Sequence, residues 1–394
     1  MFNQKIVASL GKSSMIRAMF EAGARLKAQY GEENVFDFSL GNPEIEPPVQ
    51  VQESIKKYVN SNTPGLHYYM NNAGFQDVRA KVAEYLQKKS GVPLTHDNIL
   101  MVCGAAAGMN VALKALLNPG EEVIVLSPFF VEYLSYIDNA DGKPVIVKTE
   151  KDTFQIDVEA VKSSITPRTK GIILNSPNNP TGVVYSRESL ERLRDAIEEK
   201  EKEFGTSIFI FSDEPYVSIV YDGIELPNVL SIFKNCIVIN SFSKSHALPG
   251  ERIGYVAVSS RIDDVDTLMA VMITLNRTLG FVNAPALFQR VVADNLDVAV
   301  DTAFYQEKRD ILYNHITSVG FECVKPSGAF YLFMKSPIED DVAFCEAAQK
   351  YNLLIVPGSG FGCPGYVRIA YCYDTNMIRR SLPAFTKLAR EFGL

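Results

Sequence analysis

The sequence predicts an α/β protein built around a mainly parallel sheet, and three observations carry that prediction. Short β-rich runs alternate with helical patterns along most of the chain, the signature of strand-helix-strand units. No internal repeat, low-complexity tract or charge block interrupts the alternation. The 394 residues exceed the roughly 250 to 300 at which a single core stops growing, so one large and one smaller core are expected.

Seven runs read as strands of the sheet, at 99–103, 122–126, 144–147, 171–175, 207–212, 236–240 and 254–258. Helical patterns lie between them, as at 106–117 and 188–203, the second with charged residues along one face. After Asp263 the pattern is helical to about Val319, then strand-like at 328–335 and 367–371. Helices at 341–351 and 375–392 are expected to close the chain.

Composition excludes several classes of function. A net charge of -7 with both signs interspersed offers no basic patch, so no nucleic-acid partner is expected. The first ten residues lack a long apolar core and a small-residue cleavage site. No apolar run reaches the roughly 18 residues a bilayer requires, so the expectation is a cytoplasmic protein with no membrane partner. Six cysteines show no CxxC spacing and four histidines are dispersed, which indicates neither a metal site nor a disulfide framework. The cysteines are expected to be reduced and packed as small hydrophobes.

The most informative stretch is 241–254, where Lys244 sits in a small, hydroxyl-rich turn after the apolar run 236–240. Desolvation lowers a lysine pKa, and an unprotonated amine condenses with an aldehyde, which suits pyridoxal phosphate. Arg252, eight residues on, is suited to the cofactor's phosphate. Taken alone, a lysine in a serine-rich turn reads more readily as a solvated surface charge. The order of the other motifs reverses that weighting: Asn179-Pro180-Thr181-Gly182 and Ser212-Asp213-Glu214-Pro215-Tyr216 before it, Tyr366-Val367-Arg368-Ile369 after it.

With this order and spacing the chain resembles the class I/II pyridoxal-phosphate-dependent aminotransferases of the aspartate aminotransferase superfamily, from about Ser13 to the C-terminus. The resemblance implies the transferase fold type I, with a large domain at 48–292 carrying the seven-stranded sheet. Residues 1–47 and 293–394 would form a smaller α+β domain. No Gly/Ser linker marks that boundary, which rests on the resemblance alone.

The turn from Cys103 to Gly108 joins the first strand to a helix and would aim free N–H groups at a phosphate, although small residues there also serve packing alone. The resemblance makes Gly104, Ala105 and Ala106 backbone ligands of a phosphate cup that Ser241, Ser243 and Arg252 complete. Asp213 ends an apolar strand. By itself it reads equally as a turn aspartate; by resemblance it pairs with the pyridine nitrogen and keeps it protonated. Asn179 and Tyr216 then become donors to the cofactor's phenolic oxygen. Phe130, in Pro128-Phe129-Phe130, matches the aromatic that stacks on the ring.

For the substrate, the resemblance implies that Arg368 forks onto the α-carboxylate beside Asn179, with the glycine loop at Gly41 closing over it. Tyr69 stands five residues before Gly74 and matches a tyrosine that reaches the phosphate of the other subunit. Shared sites of that kind imply a two-fold homodimer. Lys244 would move a proton from the substrate's Cα, and an amino acid and a 2-oxo acid would exchange an amino group in ping-pong order. Arg277, 33 residues after Lys244, and Arg17 are candidates for a side-chain carboxylate, which puts aspartate or glutamate first among substrates. Arg277 is about one residue off the family spacing and reads slightly more readily as an interface or surface arginine.

Three other readings stand beside this one. A pyridoxal-phosphate-dependent carbon-sulfur β-lyase keeps the same cofactor ligands. A non-enzymatic effector-binding domain would carry a DNA-binding domain before the fold, and only about a dozen residues precede Ser13. A nucleotide-binding Rossmann enzyme would need a GxGxxG after the first strand, which is missing.

Overall fold

The computed structural model describes residues 15–394 together with Phe2, Gln4, Ile6 and Val7, and side chains from Glu21 onward within the first helix, Met15–Tyr30. Its centre is a seven-stranded sheet. In chain order the strands concerned are β2 (Ile99–Val102), β3 (Glu122–Ser127), β4 (Lys143–Lys148), β5 (Thr169–Asn175), β6 (Phe209–Asp213), β7 (Cys236–Ser241) and β8 (Gly254–Val258), following a short β1 (Phe36–Asp37) that lies outside the sheet. Their spatial order is β2-β8-β7-β6-β5-β3-β4, and β8 runs antiparallel to both of its neighbours while the other pairings are parallel.

Helices cover both faces, as a parallel sheet requires. Alternation along the strands other than the edge strand β4 feeds two separate cores: Ile124, Ile210 and Val238 point into one, Val125, Phe211 and Ile239 into the other. The first core packs the helices Gln76–Ser90 and Arg187–Phe204 against the sheet, and the second packs Ala105–Leu116 and Val265–Thr278. Burial of these strands on both sides explains why they read as apolar runs, whereas the edge strand β4 is largely exposed.

A third core gathers Phe38, Tyr305, Phe330, Leu353 and Phe385. It lies between the helices Thr302–Ser318 and Thr375–Glu391 and a three-stranded antiparallel sheet in the order β11 (Val356–Pro357), β12 (Tyr366–Ala370), β9 (Tyr331–Lys335). Strand β1 pairs in parallel with β10 (Leu353–Leu354), which joins the N-terminal segment to the C-terminal third.

Two expectations change in detail. The helical stretch after Asp263 breaks into Val265–Thr278, Ala286–Ala293 and Thr302–Ser318. Gly280 adopts φ 93°, Pro285 opens the second piece, and Asp301 caps the third through Ala303 N. The strand read from Gly328 begins at Tyr331, because the amides of Ser327 and Gly328 both donate to Gly182 O and Ala329 turns at φ 55°. The six cysteines are unpaired, three of them buried. Among the described residues no helix is long and apolar enough to cross a membrane.

Candidate active site

The carboxyl ends of parallel strands are where an open α/β sheet places its ligands. Here β5 ends at Asn175, β6 at Asp213 and β7 at Ser241. Their last side chains meet the turn carrying Lys244 around a cavity of about 220 Å³. Of the residues singled out in the sequence, Ala105, Ala106, Phe130, Asn179, Asp213, Tyr216, Ser241, Ser243, Lys244 and Arg252 line it.

One end of this cavity is formed by a helix N-terminus, two serines and an arginine. Gly104 caps the helix Ala105–Leu116 at φ 81°, so the first helical N–H groups face the cavity with no carbonyl of their own turn to bind. A Cβ on Gly104 would lie 2.5 Å from Arg252 Nη2, so the glycine lets the guanidinium approach the helix end. Ser243 N donates to Ser241 Oγ, and the two hydroxyls are 2.7 Å apart. Arg252 is exposed, turns at φ 53° and donates to Pro249 O at 2.9 Å.

At the other end Asp213 is buried. It accepts a 2.5 Å hydrogen bond from the Tyr133 hydroxyl, and Asn175 Nδ2 donates to its backbone carbonyl at 2.9 Å. Burial pushes its carboxyl up to about 6, against the opposing pull of Tyr133. A carboxyl in that state is stabilised as a carboxylate by a cation beside it, such as a protonated ring nitrogen. Phe130 forms one wall and packs edge-on against Tyr133, their centroids 5.6 Å apart.

Lys244 stands between these ends. Burial brings its ammonium down to about 8, and Arg252 and Arg368 push in the same direction. Its Nζ donates to Gly41 O at 2.6 Å, so the glycine expected over the site touches the lysine directly.

Arg368, midway along β12, is buried and donates to Asn179 Oδ1 at 3.1 Å and to Ser39 O at 2.5 Å. Its guanidinium carbon lies 4.8 Å from the Tyr331 ring centroid and 4.6 Å from that of Phe361. Its Nε is buried without a hydrogen-bond partner, which is costly unless a ligand oxygen meets it.

Two candidates stand apart from the cavity, and a third is not described. Tyr69 is 94% exposed. Arg277 is exposed in the last turn of Val265–Thr278. The side chain of Arg17 lies outside the described residues. Conversely, Tyr133, Asn175 and Tyr331 belong to the site and were not singled out by their sequence. Tyr133 stands in the same turn as Phe130, but its bond to Asp213 spans 80 residues and leaves no trace in local spacing.

Similarity to known proteins identifies the family. Residues 33–385 match the family described as aminotransferase class I and II. An aspartate aminotransferase of Thermotoga maritima is 32% identical over 373 residues, covering 93% of this chain and 95% of the relative. An aspartate/prephenate aminotransferase of Thermus thermophilus is 31% identical over 355 residues, covering 89% of this chain and 90% of the relative. Among solved structures, an aminotransferase from Eubacterium rectale superposes with TM-score 0.96 at 43% identity, covering all of both chains. A Thermus thermophilus aspartate aminotransferase superposes with TM-score 0.88 at 28% identity, covering 98% of this chain and 99% of the other. A fold type I sheet whose strand ends converge on one lysine, matched nearly end to end by such relatives, places this chain in the class I and II aminotransferase family, as an enzyme that transfers amino groups.

Proposed function

We propose that the cavity binds pyridoxal phosphate through Lys244 and that the enzyme transfers an amino group between a dicarboxylic L-amino acid and a 2-oxo acid. The observation that carries this reading is a lysine of lowered pKa placed between an anion-holding helix end and a buried carboxyl. When bound, the cofactor supplies an aldehyde that condenses with amines and a protonated ring that withdraws electrons from the substrate's Cα.

The protein's own residues divide the remaining work. The N–H groups of Ala105 and Ala106 and the backbone at Gly104, with Ser241, Ser243 and Arg252, hold the phosphate. Asp213, oriented by Tyr133, would keep a proton on the ring nitrogen. Asn179 and Tyr216 would be the donors for the phenolic oxygen, and Phe130 would be the aromatic wall for the ring. Arg368 receives the substrate α-carboxylate, for which its orphaned Nε is the strongest support. The Lys244 amine takes the proton from the substrate's Cα, with the carbonyl of Gly41 beside it to receive its hydrogen bond.

The preference for aspartate or glutamate draws on the names of several relatives and on Arg277. Because Arg277 is exposed and does not line its own chain's cavity, its role requires a second copy. Tyr69 carries the same implication, and both support a two-fold homodimer with shared sites. We place the domain boundaries at 48 and 292, since the two cores around the large sheet run from Val51 to Ala293.

The test begins with protein incubated with pyridoxal phosphate, reduced with borohydride and digested. The cofactor mass is expected on the peptide containing Lys244 and missing in Lys244→Ala. A wild-type chain that retains none overturns the cofactor reading. L-Aspartate and L-glutamate, given singly, are expected to release their 2-oxo acids. Pyruvate and ammonia released from L-cystathionine without amino transfer would favour the lyase instead. Arg277→Leu is expected to lower kcat/KM for aspartate by about tenfold to a hundredfold, the worth of a charged hydrogen bond, with alanine little changed. Equal loss for both amino acids removes the side-chain role.

A further inference from the structure

We propose that Tyr331 is a positioning residue whose hydroxyl directs the Tyr216 proton toward the cofactor while its ring supports Arg368. The inference rests on the cofactor reading above and extends it to a residue that the reading leaves unused.

Both tyrosines are buried, and their hydroxyl oxygens are 2.8 Å apart. Their rings meet edge-on at 85° with centroids 5.7 Å apart, and Tyr216 also packs edge-on against Phe330 at 5.4 Å. Packing therefore fixes the pair, and only the direction of the two protons remains to be chosen. A phenol carries one proton and accepts through its oxygen. If Tyr216 gives its proton to the cofactor's phenolic oxygen, the bond between the tyrosines must run from Tyr331 to Tyr216. Donation in that direction polarises the Tyr216 hydroxyl and makes it a better donor in turn.

The same side chain touches the other parts of the site. The Arg368 guanidinium lies over its ring at 4.8 Å. Gly41 sits against its hydroxyl so closely that a Cβ there would come within 2.0 Å of the oxygen. Gly41 O is also the acceptor for Lys244 Nζ. Ring and hydroxyl thus have separate tasks: the ring holds the carboxylate clamp, and the hydroxyl holds the proton order at Tyr216.

Tyr331→Phe keeps the ring and removes the hydroxyl; Tyr331→Leu removes both. The holoenzyme, reconstituted with pyridoxal phosphate, is titrated with pH by its visible absorbance and assayed with L-aspartate. Tyr331→Phe is expected to retain the cofactor and to titrate about 0.5 to 1 pH unit higher, because a weaker donor at the phenolic oxygen favours its protonated form. Its KM for aspartate is expected within about twofold of wild type, since the ring remains. Tyr331→Leu is expected to raise that KM about fivefold in addition, through loss of the cation-aromatic contact. A Tyr331→Phe protein that titrates like wild type overturns the assignment, whether or not Tyr331→Leu folds. A KM rise in Tyr331→Phe as large as in Tyr331→Leu overturns the division between ring and hydroxyl. If wild type retains no cofactor, the cofactor reading and this inference fail together; if wild type retains it and Tyr331→Phe is unchanged, only this inference fails.

Discussion

Lys244 and Lys308 are chemically alike in this fold and differ in what surrounds them. Each donates its ammonium to a backbone carbonyl, Lys244 to Gly41 and Lys308 to Tyr373, and burial brings each down to about 8. Lys308 is 1% exposed and its nitrogen lies 3.6 Å from the Phe304 ring centroid, inside the packed third core. Lys244 is half-buried and lines a cavity of about 220 Å³ whose other walls carry a carboxyl, hydroxyls and Arg252, with Arg368 also near enough to act on the amine. A lowered pKa alone therefore does not mark a reactive amine. What marks it is a lowered pKa together with room for a second molecule and groups to hold that molecule.

The largest expected effect tests this contrast directly. Lys244→Ala should lower transamination by at least ~10²- to 10⁴-fold, the usual contribution of a positioned acid-base group, measured as 2-oxo acid release. Lys308→Met should leave turnover within about threefold when folded protein is assayed. Equal losses in both variants would break the comparison.

The surroundings supply the second test. Arg368→Lys keeps the charge beside Lys244 but loses the planar fork and the orphaned Nε. KM for the amino acid should rise by about tenfold to a hundredfold, corresponding to about 1.5 to 3 kcal/mol, with kcat less affected. An unchanged KM would mean that the fork does not meet the carboxylate.

The smallest effect concerns Lys308 alone. Its folded pKa of about 8 lies below the ordinary lysine value near 10.4, so the unfolded chain binds more protons between those limits. Stability of wild type relative to Lys308→Met should therefore rise with pH from about 8 to about 10.4, and should not vary between the two from pH 6 to 7 through this group. Denaturant unfolding across that range reads the slope; a slope of the opposite sign would mean that the folded site favours the ammonium.

How much of this was legible in the sequence follows from the range of the contacts. Lys244, Asp213 and Arg252 stand at or just beyond strand ends, where apolar runs stop and a polar residue begins, and the alternation of runs marks those ends. Gly104 was less legible: a small residue between a strand and a helix reads first as packing, and its phosphate role came from the resemblance alone. Tyr133, Asn175 and Tyr331 were not, because each is defined by a side-chain contact across the fold; the Tyr216 to Tyr331 pair spans 115 residues. The helix Gln76–Ser90 and the short strand β1 also escaped notice. The helix has a weak apolar stripe among many charges, and β1 offers two residues that become a strand only when β10 arrives from the other end of the chain. The break at 279–285 was visible in Gly280 and Pro285 but was outweighed by the apolar pattern on either side.

The antiparallel run of β8 has a consequence for how this enzyme tolerates change in length. Because β8 returns beside β7, with Ser241 opposite Gly254, the intervening segment leaves and re-enters the sheet at the same edge of the cavity. That segment acts as a ruler: it sets how far the phosphate-side arginine stands from the reactive lysine. Inserting or deleting a residue between Ser245 and Glu251 should separate the two groups. The same edit at Gly205, at the far end of the sheet where the chain turns with open space around it, should pass unnoticed by the chemistry.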